Sequence, residues 1–311
     1  MDFSNGSLVM GHQKVLEMLK TLYYQGNLAP AWLLVGQRGI GKATLAYHLA
    51  REVLAVNPQN PTGLSAALVD RQITAGSYPN FLVIERPENA DGERVNEIPV
   101  DEARKTLDFL YQSPAIPGWR VVIVDAADEL NRAASNSLLK VLEEPPAKTL
   151  FLLVCHSLGQ VLPTIRSRCQ KVNLEPLSIA DLGHLSIEED IFEYAQGSLG
   201  LYDSLLKAGG ADFTRKLAKA IEAARGGQTA AAQRFCDDVS KDKTQYSCFL
   251  WLIEQYAYKA VLAAKGPEQA HWVKVFESLT AFLKGAKTTH LDKSQLMLSC
   301  FLIIENPSIY T

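Results

Sequence analysis

The residues with the clearest chemical purpose form one short run, Gly36-Gln37-Arg38-Gly39-Ile40-Gly41-Lys42. Its GxxxxGK spacing suits a loop wrapped around a phosphate. Glycines let successive backbone N–H groups converge on one anion, the helix N-terminus that follows adds positive field, and the lysine reaches the terminal phosphates. Loops of this kind put a hydroxyl after the lysine to ligate magnesium, and here that position is Ala43. Thr44 follows, but a helix turns about 100° per residue, so its hydroxyl is not expected on the same metal. The second chemical element is Arg120-Val121-Val122-Ile123-Val124-Asp125, an apolar run ending in a carboxylate that could bind a magnesium-held water. Where a water-polarising acid would come next, the chain has Ala126. Asp128 and Glu129 lie too far along to substitute and read as solvated acids at a helix start. Phosphoryl transfer rests on positioning and charge stabilisation, so a missing ligand and a missing base predict negligible turnover by this chain itself. The candidate nucleotide-binding residues are Gly36, Gly39, Gly41, Lys42, Thr44 and Asp125, and ATP bound without hydrolysis stays an open expectation.

These groups need a scaffold. Short apolar runs at Ala31–Val35, Phe81–Glu85, Arg120–Val124, Leu150–Val154 and Gln170–Leu174 predict parallel strands covered on both faces. Helical patterns at Gln13–Tyr24, Lys42–Ala55, Pro99–Tyr111 and Asn131–Leu142 predict the crossover helices between them. Asn131 is a candidate N-cap, and Pro145-Pro146 stop that last helix. Pro87 to Asn96 reads as a polar surface excursion. After Leu174 the strand signals end. Short helices fill Pro176 to Ala208, Gly209-Gly210 marks a break, and Phe249, Leu252, Ile253, Tyr256, Ala260 and Val261 then recur at helical spacing, as do Trp272, Val275, Phe276, Leu279 and Phe282. The expected architecture is an α/β P-loop domain with a parallel sheet over residues 1–174, a small helical lid over 175–209 and an all-helical domain over 210–311.

Composition narrows the function classes. With 31 Lys+Arg against 34 Asp+Glu among 311 residues, the net charge is −3, which argues against a bulk electrostatic grip on nucleic acid by this chain alone and leaves room for a small basic face. Hydrophobic residues at 47% and charged residues at 21% exclude a disordered tail protein. No apolar run approaches the roughly 18 residues of a membrane span. The start, Met1-Asp2-Phe3-Ser4-Asn5-Gly6, lacks the basic-then-apolar order of a secretory signal, so a cytoplasmic location is expected. Cysteines 155, 169, 236, 248 and 300 form no CxxC pair, so neither a disulfide framework nor a zinc knuckle is readable.

From Val122 the sequence runs VIVDAADELNRAASNSLLKVLEEPP, followed from Phe151 by FLLVCHSLGQVLPTIRSRC. This resembles the clamp-loader branch of the AAA+ family. The most specific pieces are Asn136–Pro146 (NSLLKVLEEPP) and Ser167-Arg168-Cys169. Gly11-His12, the Trp32 strand with Gly39 to Thr44, and Ile98 to Glu102 extend the likeness, which holds well to about residue 175 and beyond that only by helical pattern. The resemblance implies a heteropentameric ring of AAA+ subunits that opens a sliding clamp and places it on primed DNA, with gamma/tau and delta subunits as partners and no membrane. It implies that Arg168 acts catalytically in trans, as an arginine finger in a neighbouring motor subunit's ATP site. A permanently charged planar fork suits that task. The alternative for Arg168 is plain neutralisation of a nearby carboxylate or capping of a loop; Arg166 lacks the motif frame and reads as surface.

The departures from the family pattern matter as much. Many members carry four cysteines of a zinc module between the two nucleotide motifs, but residues 43–119 here contain none, so no structural zinc is expected. His156 stands where active members place a polar sensor of the γ-phosphate. Gly200, in Gln196-Gly197-Ser198-Leu199-Gly200, stands where a second sensor arginine would be, and the nearness of this stretch to Pro176 points to a shortened lid. Ala43, Ala126, His156 and Gly200 are altered while Arg168 persists, which is the asymmetry of a stator that is no ATPase by itself. The alternatives are a gamma/tau-like ATP-hydrolysing motor and a small-molecule kinase, the latter leaving the Arg168 frame without a role. The C-terminal region, with Trp251, Tyr256, Trp272 and Phe276, is expected to act as an oligomerisation collar, although most of these aromatics also suit the domain's own core.

Overall fold

The structure, a computed structural model, describes residues 9–55, 65–89, 92, 94–183, 186–286 and 291–306. The opening residues read above for a secretory signal, and residues 90, 91 and 93 of the polar excursion, lie outside the described residues. By compactness the chain divides into two units, Met1–Ser186 with Gln196–Gly200, and Ile187–Ala195 with Leu201–Thr311. The stretch 175–209 is thus shared between them.

The first unit holds α1 (Gln13–Tyr24), β1 (Ala31–Val35), α2 (Lys42–Leu54), α3 (Ala66–Thr74), β2 (Phe81–Glu85), α4 (Val100–Tyr111), β3 (Arg120–Asp125), α5 (Arg132–Glu143), β4 (Thr149–Cys155), α6 (Pro163–Arg166) and β5 (Gln170–Asn173). The strands pair in parallel in the order β2-β3-β4-β1-β5. Successive strand residues leave a sheet on opposite sides. Trp32, Leu34, Val121, Ile123, Leu150 and Leu152 accordingly enter one core with Leu19, Leu45, Leu49 and Ile73. Ala31, Leu33, Val122, Val124, Phe151 and Leu153 enter the other with Ala103, Leu138, Val141 and Ile165. Two faces of apolar side chains are why these strands read as unbroken apolar runs. β5 departs from that expectation. It is an edge strand paired only with β1, and its residues are exposed except Val172. The helix α3, capped by Ser65 and anchored by Val69 and Ile73, was not among the expected elements.

Helix boundaries follow local chemistry. The Asn131 side chain accepts from Ala134 N at 2.8 Å, starting α5 as expected for an N-cap. Buried Arg120 donates through Nη1 to the carbonyls of Leu110 (2.9 Å) and Gln112 (3.0 Å), which closes the C-terminus of α4.

The second unit contains α7 (Glu189–Ala195), continues α8 (Leu199–Lys207), and comprises α9 (Gly210–Arg225), α10 (Thr229–Val239), α11 (Lys243–Ala263), α12 (Pro267–Ala286) and α13 (Lys293–Glu305). Its core is aromatic: Phe301 meets Phe235 at 6.1 Å and Phe249 at 5.5 Å between ring centroids. Trp272 is buried with the Tyr256 ring at its edge, 5.7 Å away, so these two belong to the unit's own packing. Among the described residues no helix is long and apolar enough to cross a membrane, and no cluster of His, Cys, Asp and Glu could hold a metal ion.

Candidate functional site

The glycine loop joins the end of β1, which lies between β4 and β5 in the sheet, to the first turn of α2. Gly39 (φ +78°) and Gly41 (φ +101°) adopt left-handed backbone that an L side chain would strain. Gly36 is held by contact instead: a Cβ there would lie 2.6 Å from the Leu174 carbonyl oxygen and 2.7 Å from Ile40 Cδ1. Ile40 is fully buried, and its carbonyl lies 3.0 Å from Nε2 of His12, the residue just before α1. Burial keeps the His12 imidazole below its ordinary pKa.

Lys42 is buried, and its Nζ donates to the carbonyls of Gly36 (2.7 Å) and Gln37 (2.5 Å). Burial pulls its pKa down to about 8 against the opposing pull of Asp125 and Asp128. Asp125 extends β3 by one residue beyond the expected end and stays in register between Glu85 and Val154. Its carboxyl is pushed up by burial first and then by Glu129 and Glu85. Lys42 and Asp125 therefore share one electrostatic environment at the loop, with Gly36, Gly39 and Gly41 around the lysine's own backbone. Thr44 is half-buried on the first turn of α2, and Ala43 offers no oxygen beside it.

The acids after Ala126 are partly buried and engaged by the fold, where free solvation is expected from the sequence. The Asp128 carboxylate accepts from the backbone N–H groups of His156 (2.8 Å) and Ser157 (3.1 Å), tying the turn after β3 to the end of β4. Glu129 pairs with Arg86 at 2.8 Å and with Arg38 of the glycine loop at 3.7 Å. His156 is held well below its ordinary pKa, at about 4, by burial and then by Lys42. Its Nδ1 and the Gln37 Nε2 are buried without hydrogen-bond partners among the described residues. An orphaned His156 Nδ1 within the field of buried Lys42, next to a loop with left-handed Gly39 and Gly41, would suit a polyphosphate tail, whereas Ala43 supplies no hydroxyl for its magnesium.

Gly200 sits directly on this loop. Its N–H donates to the Gly39 carbonyl at 2.9 Å, and a Cβ on it would lie 3.0 Å from Gly39 Cα. The sequence shows only that no arginine stands here. The structure adds that backbone contact has taken its place.

Arg168 stands apart from these residues. It follows α6 and is exposed, with Nη1 donating to the Thr164 carbonyl (2.9 Å) and the Ser167 hydroxyl (3.3 Å) and Nη2 to Glu143 Oε1 at 2.6 Å. Glu143 ends α5 and lies inside the NSLLKVLEEPP run, so the two most specific pieces of the resemblance meet through one ion pair. No spacing rule links a residue at a helix end to one 25 positions on in a turn, so the sequence assigns Glu143 no role. Cys169 beside it is half-buried, and burial pushes its thiol up to about 12, which leaves it protonated and unreactive.

Comparison with known proteins bears on the whole arrangement. A family model described as "DNA polymerase III, delta subunit" matches residues 11–178, more than half of the chain. Over 141 residues the chain is 38% identical to the DNA polymerase III subunit delta' of Pseudomonas aeruginosa, covering 45% of this chain and 42% of that protein. Over 160 residues it is 34% identical to the subunit delta' of Escherichia coli K12, covering 51% and 46%. Over 213 residues it is 29% identical to the DNA polymerase III subunit gamma of Buchnera aphidicola subsp. Schizaphis graminum, covering 68% and 52%. The chain thus spans about half the length of the curated relatives it matches. A solved gamma subunit-related protein of Thermotoga maritima shares the fold, with a TM-score of 0.51 at 18% identity over 94% of this chain and 99% of that one. On these grounds the chain belongs to the DNA polymerase III delta-subunit family, as a delta-prime-like member.

Proposed function

We propose that this chain is a non-hydrolysing stator subunit of a DNA polymerase III clamp loader. In this role it sits in a cytoplasmic heteropentamer with gamma/tau and delta subunits and helps to place a sliding clamp on primed DNA. It lends Arg168 to the ATP site of a neighbouring motor subunit, where the guanidinium neutralises charge that builds on the transferred phosphoryl group. Residues 175–209 serve as a shortened lid and residues 210–311 as a collar that meets sister subunits. ATP, if held, lies on the Gly36–Lys42 loop with Thr44 and Asp125 beside it and is not turned over; no structural zinc is involved.

One observation carries this reading. The exposed Arg168 is anchored through three of its five N–H donors, with the other two unengaged, on a unit that has Ala43, Ala126 and Gly200 at the positions where the family pattern has functional side chains for hydrolysis. A second reading, a gamma/tau-like motor, draws on the gamma relative matched over 68% of the chain and on Lys42 beside Asp125. The test is ATP turnover by the isolated chain, with and without magnesium, followed by turnover of the reconstituted complex carrying Arg168→Ala. The stator reading expects no turnover by the chain and a reduced DNA-stimulated rate for the variant complex. Brisk turnover by the chain alone, abolished by Lys42→Ala, would establish the motor instead.

A further inference from the structure

We propose that Glu143 is the positioning residue of Arg168: the carboxylate at the end of α5 holds the guanidinium in the orientation from which it reaches the neighbouring site. The proposal rests on the arginine-finger reading above. An unanchored arginine samples many rotamers, and fixing it before the reaction is what makes a charged group effective in a transition state. Here the fixing is done from two sides. The single turn of α6, held by buried Ile165, presents the Thr164 carbonyl to Nη1, and α5 presents Glu143 to Nη2. α5 is a rigid mount, capped by Asn131 and stopped before Pro145-Pro146, with Ala134, Leu138, Val141 and Leu142 buried in the core.

Helix stability does not account for Glu143. The C-terminus of a helix carries partial negative charge and favours cations, so an acid in this last position is unfavourable for α5 itself. Nor does the ion pair account for it, since the side chains are 33% (Arg168) and 50% (Glu143) exposed and pairs so exposed contribute little to stability. What the pair does is fix direction. With Nη1 engaged twice and Nη2 once, the Nε–H and one Nη2–H remain for an incoming phosphate oxygen.

The experiment compares Glu143→Ala, Glu143→Gln, Arg168→Ala and the Glu143→Ala/Arg168→Ala double variant in the reconstituted complex with clamp and primed DNA, reading the maximal ATPase rate. Arg168→Ala defines the finger-dependent part of that rate. Glu143→Ala is expected to lower the rate about threefold or more, toward Arg168→Ala. Glu143→Gln, which keeps an acceptor oxygen, should retain most of the wild-type rate, and the double variant should be no slower than Arg168→Ala. In the isolated chain, Glu143→Ala should leave the melting temperature unchanged while the Arg168 side-chain N–H resonances broaden. A wild-type or faster rate for Glu143→Ala beside a slow Arg168→Ala overturns the proposal and leaves the finger standing, as does a double variant slower than Arg168→Ala. A wild-type rate for Arg168→Ala removes the finger, and the proposal with it.

Discussion

Gly200 offers a direct test of how the glycine loop is held. Replacing it with alanine adds a Cβ 3.0 Å from Gly39 Cα and 3.4 Å from the Gly39 carbonyl oxygen, where carbon atoms normally rest about 3.5–4.0 Å apart. Relief requires the two backbones to part by about half an ångström, which stretches the 2.9 Å Gly200 N–H bond to Gly39 to the edge of hydrogen-bonding range. That N–H belongs to the first turn of α8, where no carbonyl of the helix backbone accepts it, and the Gly39 carbonyl takes that place. Losing this bond costs about 1 kcal/mol, and the crowding costs about 1 kcal/mol more. Alanine's better helix propensity returns at most about 1 kcal/mol. The net loss is on the order of 1 kcal/mol, a fall of about 2–4 °C in the melting temperature for a unit of this size. Thermal unfolding reads the first quantity, and hydrogen exchange at the Gly200 amide should quicken several-fold with it. Arginine at 200 carries the same Cβ and should cost at least as much. Should Gly200→Ala melt at or above the wild-type temperature with amide protection intact, the close approach to Gly39 is not what excludes a side chain here.

Three further perturbations probe the same region. Asp128→Ala leaves the amides of His156 and Ser157 without their acceptor and should lower stability by about 2 kcal/mol in denaturant titration, with Asp128→Asn closer to wild type; an unchanged midpoint for the alanine variant would show that water replaces the carboxylate freely. His156 titrates in the folded protein at about 4, below its ordinary 6.5, so between those pH values the unfolded chain takes up a proton that the folded chain refuses. Stability should fall as the pH drops through this window, by about 3 kcal/mol, and His156→Gln should flatten that part of a profile of denaturant midpoint against pH; an unaltered slope would assign the acid sensitivity elsewhere. Gly36→Ala places a Cβ 2.6 Å from the Leu174 carbonyl oxygen, a backbone atom that cannot swing away, and should cost about 3 kcal/mol in thermal unfolding without any nucleotide. Near-wild-type melting would mean that the loop relaxes around the methyl group.

The sheet is legible in the sequence because β1, β3 and β4 bury both faces and so appear as unbroken apolar runs, while α5 carries its own cap and proline stop. β5 is a strand as expected but is not covered on both faces: Gln170, Lys171 and Asn173 are polar and exposed, as suits an edge strand, and only Val172 is buried. α3 escaped notice because two buried residues, Val69 and Ile73, give a nine-residue helix little periodic signal. At the site, residue types and spacing point to the loop, Lys42 and Asp125, since each is identified by the chemistry of its own side chain. Asp128 could not be read in the same way. Its partners are backbone amides 28 and 29 residues away, which leave no trace in side-chain identity. Glu143 and Gly200 share that difficulty, one acting through a tertiary ion pair and the other through the absence of a Cβ.

The phosphate-type loop of this chain has a structural role that needs no nucleotide. Gly36 is fixed by Leu174, Ile40 is core, His12 and Gly200 hold the carbonyls of Ile40 and Gly39, and Lys42 holds those of Gly36 and Gln37. The GxxxxGK residues are part of the packing of the first unit, so their presence does not separate a motor from a stator. Ala126 does. It is fully buried, next to an Asp125 already driven up by burial and by Glu129 and Glu85, and Asp128 stands two residues on with its oxygens committed to backbone amides. An acid restored at 126 would enter this pocket as a further buried negative charge with no cation of its own, since Arg86 and Arg38 are taken by Glu129 and Lys42 by the loop carbonyls. Its pKa would rise and it would hold its proton, when a catalytic base must have released one. The packing around Ala126 disfavours an ionised acid there, so Ala126→Glu by itself is not expected to create an ATPase; robust turnover by that variant would refute this.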